Sequence, residues 1–394
     1  MAPPLPSPEL PDFSLTLGGP LYRILERSHL AKRVATLLGG QAAAVVFVCW
    51  VPLAALSLVQ AHLPGGAKLS FLRDVETHVR FLVSLPVLVM GEFLVDQRIR
   101  PIMGRFLEHH VVAPDDLPKF YAAINTAVRV HNSILADIVL IIFVYTGGIW
   151  IWRHQIASDV SSWYASPQGN QTHLTMAGHW LAFVSVPIFQ FVLLRWYMQF
   201  FVWFWLVLRV SHLKLRLAPL HPDRQGGIGF VGGSSLAFAP LLFAQSALLA
   251  AQIATGILYK KASLLSSKTT IFGYALLSVA AALAPLILLT PQLIHSKRKE
   301  LARYGKFASV FVTDFDQKWL ESDLHGEPSL AGEDIQALAD LDNSFAVVRK
   351  MGFVPISADD ILLLFHVTLV PFLPLLLTIM PLDQLITRAL KLAF

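Results

Sequence analysis

The chain has 394 residues, 55% of them hydrophobic and only 14% charged, with a formal net charge of +5 and a mean hydropathy of +0.58. A soluble domain of average make-up carries about 25% charged residues in short amphipathic pieces, whereas here the apolar residues come in runs of 15 to 29. Disordered, collagen-like, disulfide-stapled and ordinary globular classes are thereby excluded, which leaves an all-α, polytopic membrane helix bundle.

The first 20 residues hold six prolines and no basic cluster ahead of an apolar stretch, so 1–20 reads as a disordered tail and not as a cleavable signal peptide. The first span, Ala42 to Ala61, then serves as its own insertion signal. The single cysteine, Cys49, lies inside it, which rules out an internal disulfide and a thiolate metal site. The next run, Phe81 to Val95, contains Pro86 and Glu92 and is short: 15 residues reach only about 22 Å against a hydrocarbon core of about 30 Å. Arg80 on one side and Arg98 and Arg100 on the other are placed to snorkel. Five further runs follow, Ile134 to Trp152, Trp180 to Leu208, Leu236 to Leu258, Ile271 to Ile294 and Ile361 to Met380, for seven spans in all.

Counting Lys and Arg in the connecting segments places 21 on one side and 9 on the other when all seven runs cross. The positive-inside bias then predicts a cytoplasmic N-terminus and a C-terminus on the far side. The weakest joint is the outside loop with Lys260, Lys261 and Lys268, which runs against that bias. The organisation expected is a tail at 1–20, a six-span bundle with short loops at 21–294, cytoplasmic amphipathic helices at 295–360, and a seventh span with a C-terminal interfacial helix at 361–394. In the third unit Leu301, Tyr304, Ala308, Phe311, Phe315 and Trp319 make one helical stripe, and Ile335, Leu338, Asp342, Phe345 and Val348 make another. No internal repeat is visible.

Arg195 is the sharpest feature. It lies mid-way in a 29-residue apolar run without Gly or Pro from Ile188 to Val210, and a buried guanidinium there costs at least about 2.5 to 3.5 kcal/mol unless a partner or water meets it. Helix rise places Arg195 and Asp137 each about 23 Å, and Glu92 about 17 Å, from the outer face, so all three are expected to meet in the inner half of the bilayer, with Gln190 and Gln199 flanking the arginine. Such a cluster is either a polar site on a permeation route or a buried ion pair that sets helix packing. His366, in a span bent by Pro371 and Pro374, is the other titratable group at depth; a hydrogen bond to a neighbouring helix is the plainer expectation for it than a proton relay. No two histidines lie at matching depth for a haem and no pair has metal-ligand spacing, so no cofactor and no metal are expected.

Between the fourth and fifth spans runs the string His221, Pro222, Asp223, Arg224, Gln225, Gly226, Gly227, Ile228, Gly229. Its glycines are able to cradle an anion through backbone amides, but it lacks the Lys-Ser or Lys-Thr ending of a P-loop and no strand precedes it; a tight turn is the simpler reading. On the fifth span Ala244, Ala247, Ala251 and Ala254 form a small-residue face for which the alanine-rich sixth span is the expected partner. The seven aromatics from Trp196 to Trp205 read as a stripe next to lipid or the interface.

With the His221 to Gly232 string, the stretches Tyr304 to Trp319 and Asp334 to Arg349, and the ending Leu375 to Asp383, the chain resembles a family of multi-pass bacterial inner-membrane proteins that carry a His-Pro-Asp-Arg-x-Gly-Gly loop. The resemblance covers the chain from about the fourth span onward and implies a bacterial inner membrane; it brings no activity, substrate or catalytic residue. Two function classes follow from the residues: a channel or transporter for an ion or small solute, with anions favoured by the fixed charge of Arg195, or a non-transporting scaffold or subunit of an inner-membrane complex. No nucleophile or acid/base pair stands out, so no enzyme is expected. The partners expected are the lipid bilayer, the ion or solute, and further copies or other membrane subunits, but no nucleic acid.

Overall fold

A computed structural model describes residues 34–61, 71–148, 163–168, 171–319 and 332–378. The expected tail at 1–20, the far end of the third run after residue 148 and the C-terminal helix lie outside the described residues. The protein is an all-α polytopic bundle. In chain order the helices are α1 (Val34–Ala61), α2 (Val75–Glu108), α3 (Leu117–His131), α4 (Ile134–Phe143, widening into a π-turn over Val144–Gly148), α5 (Met176–Ser211), α6 (Ala239–Lys260, entered through a 3-10 segment Gly229–Phe238), α7 (Lys268–Ile287), α8 (Thr290–Trp319), α9 (Gly332–Arg349) and α10 (Ala358–Leu369, continuing as a 3-10 segment Val370–Thr378). Six of these are long and apolar enough to cross a membrane, and a seventh if α3 and α4, bent by 47° at their junction, count as one broken span. A short antiparallel ribbon, β1 (Ala165–Gln168) and β2 (Gln171–Leu174), pairs Ala165 with Leu174 ahead of α5.

Helix starts follow the caps written into the sequence. Asp74 accepts from the Thr77 N–H (3.0 Å), Ser133 from Ala136 (3.3 Å), Thr175 from Gly178 (3.0 Å) and Ser357 from Asp360 (3.0 Å), the last with Asp359 and Asp360 in the first turn. Prolines shape the spans in a specific way. Pro86 and Pro187 each follow a π-turn, Val79–Ser84 in α2 and Leu181–Ser185 in α5. A proline has no N–H for the carbonyl four residues back and its ring crowds it, so the backbone widens just upstream. The carbonyl freed by Pro187, that of Phe183, accepts the Tyr145 hydroxyl at 3.1 Å and ties the third span to the fourth.

Several expectations need correction. The second run does not end at Val95: α2 spans 34 residues, because Glu76 and Arg80 at one end and Asp96, Arg98 and Arg100 at the other are helical residues that hide its true length from a hydropathy count. The sixth span stops at Ile287, and 290–294 opens the next helix, since Pro285 and Pro291 interrupt the ladder around Leu288 and Leu289. The small face of α6 is buried, but what enters it is the second span: Ser84 donates to the Ala244 carbonyl at 2.9 Å. The sixth span instead uses Val279 and Ala282 to pack with Leu364 of the last. The aromatic stripe is core more than lipid face, with Trp196 and Trp203 fully buried and Phe201 alone among the seven strongly exposed.

The Trp196 indole donates to the Leu88 carbonyl at 3.1 Å, and a Cβ on Gly91 would stand 2.5 Å from Cβ of Pro240 and 3.0 Å from the Trp196 ring. Only glycine lets α2, α5 and α6 close to this distance, one residue from Glu92. At the N-terminal end of α2, Trp163 donates to Asp74 (2.9 Å) and Trp50 to His78 (3.0 Å), an aromatic girdle around Phe71.

Candidate functional site

Arg195 stands 19 residues from the start of α5 and 16 from its end, about 28 and 24 Å along the axis. Its side chain is 4% exposed. One guanidinium nitrogen, Nη1, lies 3.4 Å from Oδ1 of Asp137 and donates to it, and Nε lies 3.7 Å from Oε1 of Glu92. Three spans thus contribute one charge each: Glu92 from α2, Asp137 from the first turn of α4 and Arg195 from α5. Asp137 is held by the Ser133 cap, which starts α4 four residues earlier, and Glu92 by the Gly91 crossing. With both carboxylates ionised the cluster carries a net charge of −1, so one of the two is free to bind a proton without leaving the arginine unpaired.

Two further buried groups adjoin the cluster. Gln199, one turn beyond Arg195 on the same helix, is 0% exposed, and neither its amide oxygen nor its nitrogen has a hydrogen-bond partner among the described residues. His131, the last residue of α3, is also fully buried, lies in the field of the Arg195 guanidinium, and has no partner for either ring nitrogen among the described residues. Each such orphan costs about 1 to 3 kcal/mol unless water or a solute meets it. Two residues along α5, on another face, Tyr197 joins Gln245 and Tyr274 in a hydrogen-bonded relay across three spans, Gln245 donating to the Tyr197 oxygen and the Tyr274 hydroxyl donating to Gln245 at 3.3 Å. The sequence alone singles out neither His131 nor this relay. His131 falls before the apolar run that marks the third span, and Gln245 is one of several polar residues in α6, beside Ser246, Gln252 and Thr255, a signal too small to rank without knowing what it faces.

His366 does not join the cluster. It sits on an exposed face of α10, with Nδ1 2.7 Å from the Leu362 carbonyl of its own helix, so the expected bond to a neighbouring helix is not made. Leu364 and Thr368, on the opposite face, are the residues of that helix which pack inward.

The glycine loop cradles an anion, and the anion is its own Asp223. Oδ1 accepts the N–H groups of Gln225 (2.8 Å) and Gly227 (3.1 Å), Oδ2 accepts that of Gly229 (3.0 Å), and His221 Nδ1 lies 3.0 Å from Oδ1. Burial pushes this carboxyl up, but the three backbone donors and His221 outweigh it and hold it below the usual carboxylate range. The turn needs left-handed backbone at Arg224 (φ 53°), Gly226 (φ 69°) and Gly227 (φ 82°). A Cβ on Gly226 would meet Met351 at 2.9 Å, and Gly352 donates to the Arg224 carbonyl at 2.7 Å. His221, Asp223, Arg224, Gly226 and Gly227 therefore form a clamp that fastens the connector between α5 and α6 to the segment ahead of α10. At the same end Lys214 N–H bonds Asp116 (2.9 Å), and the Val112–Leu215 bridge joins the end of α2 to that of α5.

Comparison of the chain with protein-family models, with curated proteins and with solved structures finds no match to any of them. The functional reading therefore rests on the site itself.

Proposed function

We propose that this membrane protein is a channel or transporter for an ion or small solute, and that the Glu92, Arg195 and Asp137 cluster lies on its path. The observation that carries the reading is the cluster's surroundings: Gln199 and His131 are fully buried, and their side chains have no hydrogen-bond partner among the described residues. A pure packing device gains nothing from two orphaned polar side chains, whereas a hydrated or solute-binding chamber satisfies them. Because two carboxylates flank the guanidinium, its charge is compensated, and the reason for favouring anions falls away. The exchangeable species the cluster fits best is a proton on Glu92, whose side chain is 29% exposed while that of Asp137 is 5% exposed. The 21 to 9 asymmetry of basic residues supports a cytoplasmic N-terminus, and the family resemblance supports a bacterial inner membrane.

The test is flux in liposomes. The purified chain is reconstituted and proton and chloride movement are followed under pH and chloride gradients, for the wild type, Glu92→Gln and Arg195→Gln. Proton flux that drops at least tenfold in Glu92→Gln supports the reading. Normal flux in both variants would keep transport but remove the cluster from its path. No flux under any gradient would favour a non-transporting scaffold, which has one observation of its own: Phe307, Val310 and Val312 of α8 and Ile335 of α9 are exposed apolar residues outside the spans.

A further inference from the structure

The junction of α7 and α8 turns two chemically different faces outward and inward. Leu286, Leu289 and Leu293 are fully buried and lock the junction to the bundle. On the other side Ile287, Thr290, Pro291, Ile294, His295 and Arg298 line an open cavity of about 470 Å³. Their spacing of three and four residues is that of one helical stripe, and the lining changes along it, from Ile287, Pro291 and Ile294 to His295 and Arg298. Ile287 ends the sixth span and Arg298 lies 11 residues further on, so the apolar start of the stripe lies at the end of the span and its basic end beyond it. The stripe also continues the exposed apolar side of α7, since Leu276 lies 11 residues, three helical turns, before Ile287 and is exposed like it.

Of the three consecutive basic residues Lys297, Arg298 and Lys299, the last does not line the cavity and Lys297 is already committed: its ammonium donates to the Met351 carbonyl at 2.6 Å and sits 4.4 Å from the Phe353 ring centroid. Arg303 faces Glu300 at 3.5 Å. Arg298 has no carboxylate partner among the described residues and lines the cavity. We propose that this cavity binds one anionic phospholipid, with an acyl chain along Ile287, Pro291 and Ile294 and the phosphate against Arg298 and His295. Charge complementarity selects the anionic headgroup, and the apolar continuity with α7 selects a lipid over a soluble anion.

The full chain, delipidated in detergent, is titrated with phosphatidylglycerol or phosphatidylcholine and the bound lipids are counted by native mass spectrometry. The wild type binds phosphatidylglycerol about fivefold more tightly than Arg298→Gln does, while phosphatidylcholine binding is the same in both. Arg303→Gln, which removes a charge outside the cavity, leaves the phosphatidylglycerol titration unchanged, and Ile294→Asn weakens it. Equal binding by wild type and Arg298→Gln, or an equal loss in Arg303→Gln, overturns the site. Displacement of the lipid by millimolar inorganic phosphate also overturns it, in favour of a free-anion site. Matching unfolding transitions of the variants exclude misfolding as the source of any loss.

Discussion

Arg195→Gln removes a guanidinium that lies 3.4 Å from one carboxylate and 3.7 Å from another, all three near the middle of the bundle. At an effective dielectric of about 20, unit charges at 3.4 Å attract by about 5 kcal/mol, and the desolvation of both ions offsets most of that in the intact pair. The measurable quantity is the asymmetry that appears when one partner goes. Asp137, 4% exposed, then loses the guanidinium it faces at 3.4 Å, and Arg195→Gln is expected to cost about 3 to 5 kcal/mol. Asp137→Asn alone costs less, about 1 to 3 kcal/mol, because Glu92 still faces the guanidinium. The double variant Arg195→Gln with Asp137→Asn no longer strands the buried Asp137, and only the partly exposed Glu92 loses its cation, so it is expected to be more stable than the sum of the single losses by about 1.5 to 3 kcal/mol. Reversible denaturant titrations of all four proteins in one detergent give the cycle. A coupling energy below about 0.5 kcal/mol would refute the pairing, and an Arg195→Gln protein as stable as the wild type would mean that the carboxylates do not depend on the guanidinium.

Other variants test other parts of the reasoning. Asp223→Ala releases three loop N–H groups and is expected to lower stability by about 2 to 3 kcal/mol, with Asp223→Asn, which retains an acceptor oxygen, losing about half as much in the same titration. Because the folded carboxyl of Asp223 lies below its unfolded value of about 3.9, its stabilisation is fully present above that pH and drains away as pH falls through the folded value. The stability gap between wild type and Asp223→Asn should accordingly narrow only below about pH 4. Gly91→Ala places a methyl group 2.5 Å from Pro240 and must spread α2 from α6; a loss of about 1 to 3 kcal/mol together with reduced proton flux is expected, since Glu92 is the next residue. His366→Leu, on an exposed face bonded only to its own helix, should change stability by less than about 0.5 kcal/mol and leave flux intact.

The polar cluster was legible because depth along a helix is simple arithmetic: three rare charges at 92, 137 and 195 fall at comparable levels on different spans, and lipid forbids them to stay apart. The glycine loop was half legible. Its capacity to bind an anion followed from its composition, but that Asp223 fills it became visible only once the turn closed on itself. His131 escaped notice because nothing in the residues around it marks α3 as continuing into the span that begins at Ile134, and its significance comes from what packs on it.

Composition and the lengths of the apolar runs determine by themselves that this chain is a polytopic helix bundle, since the bilayer sets the length of a spanning helix and excludes most charges from its interior. Tertiary structure alone decides which spans touch, that Ser84 and not the sixth span enters the alanine face of α6, that Trp196 and Trp203 turn inward, and that two carboxylates share Arg195. In a chain that is apolar on nearly every face, periodicity does not point to a partner; the matching of small and large residues between helices does, and that matching exists only when the helices are assembled.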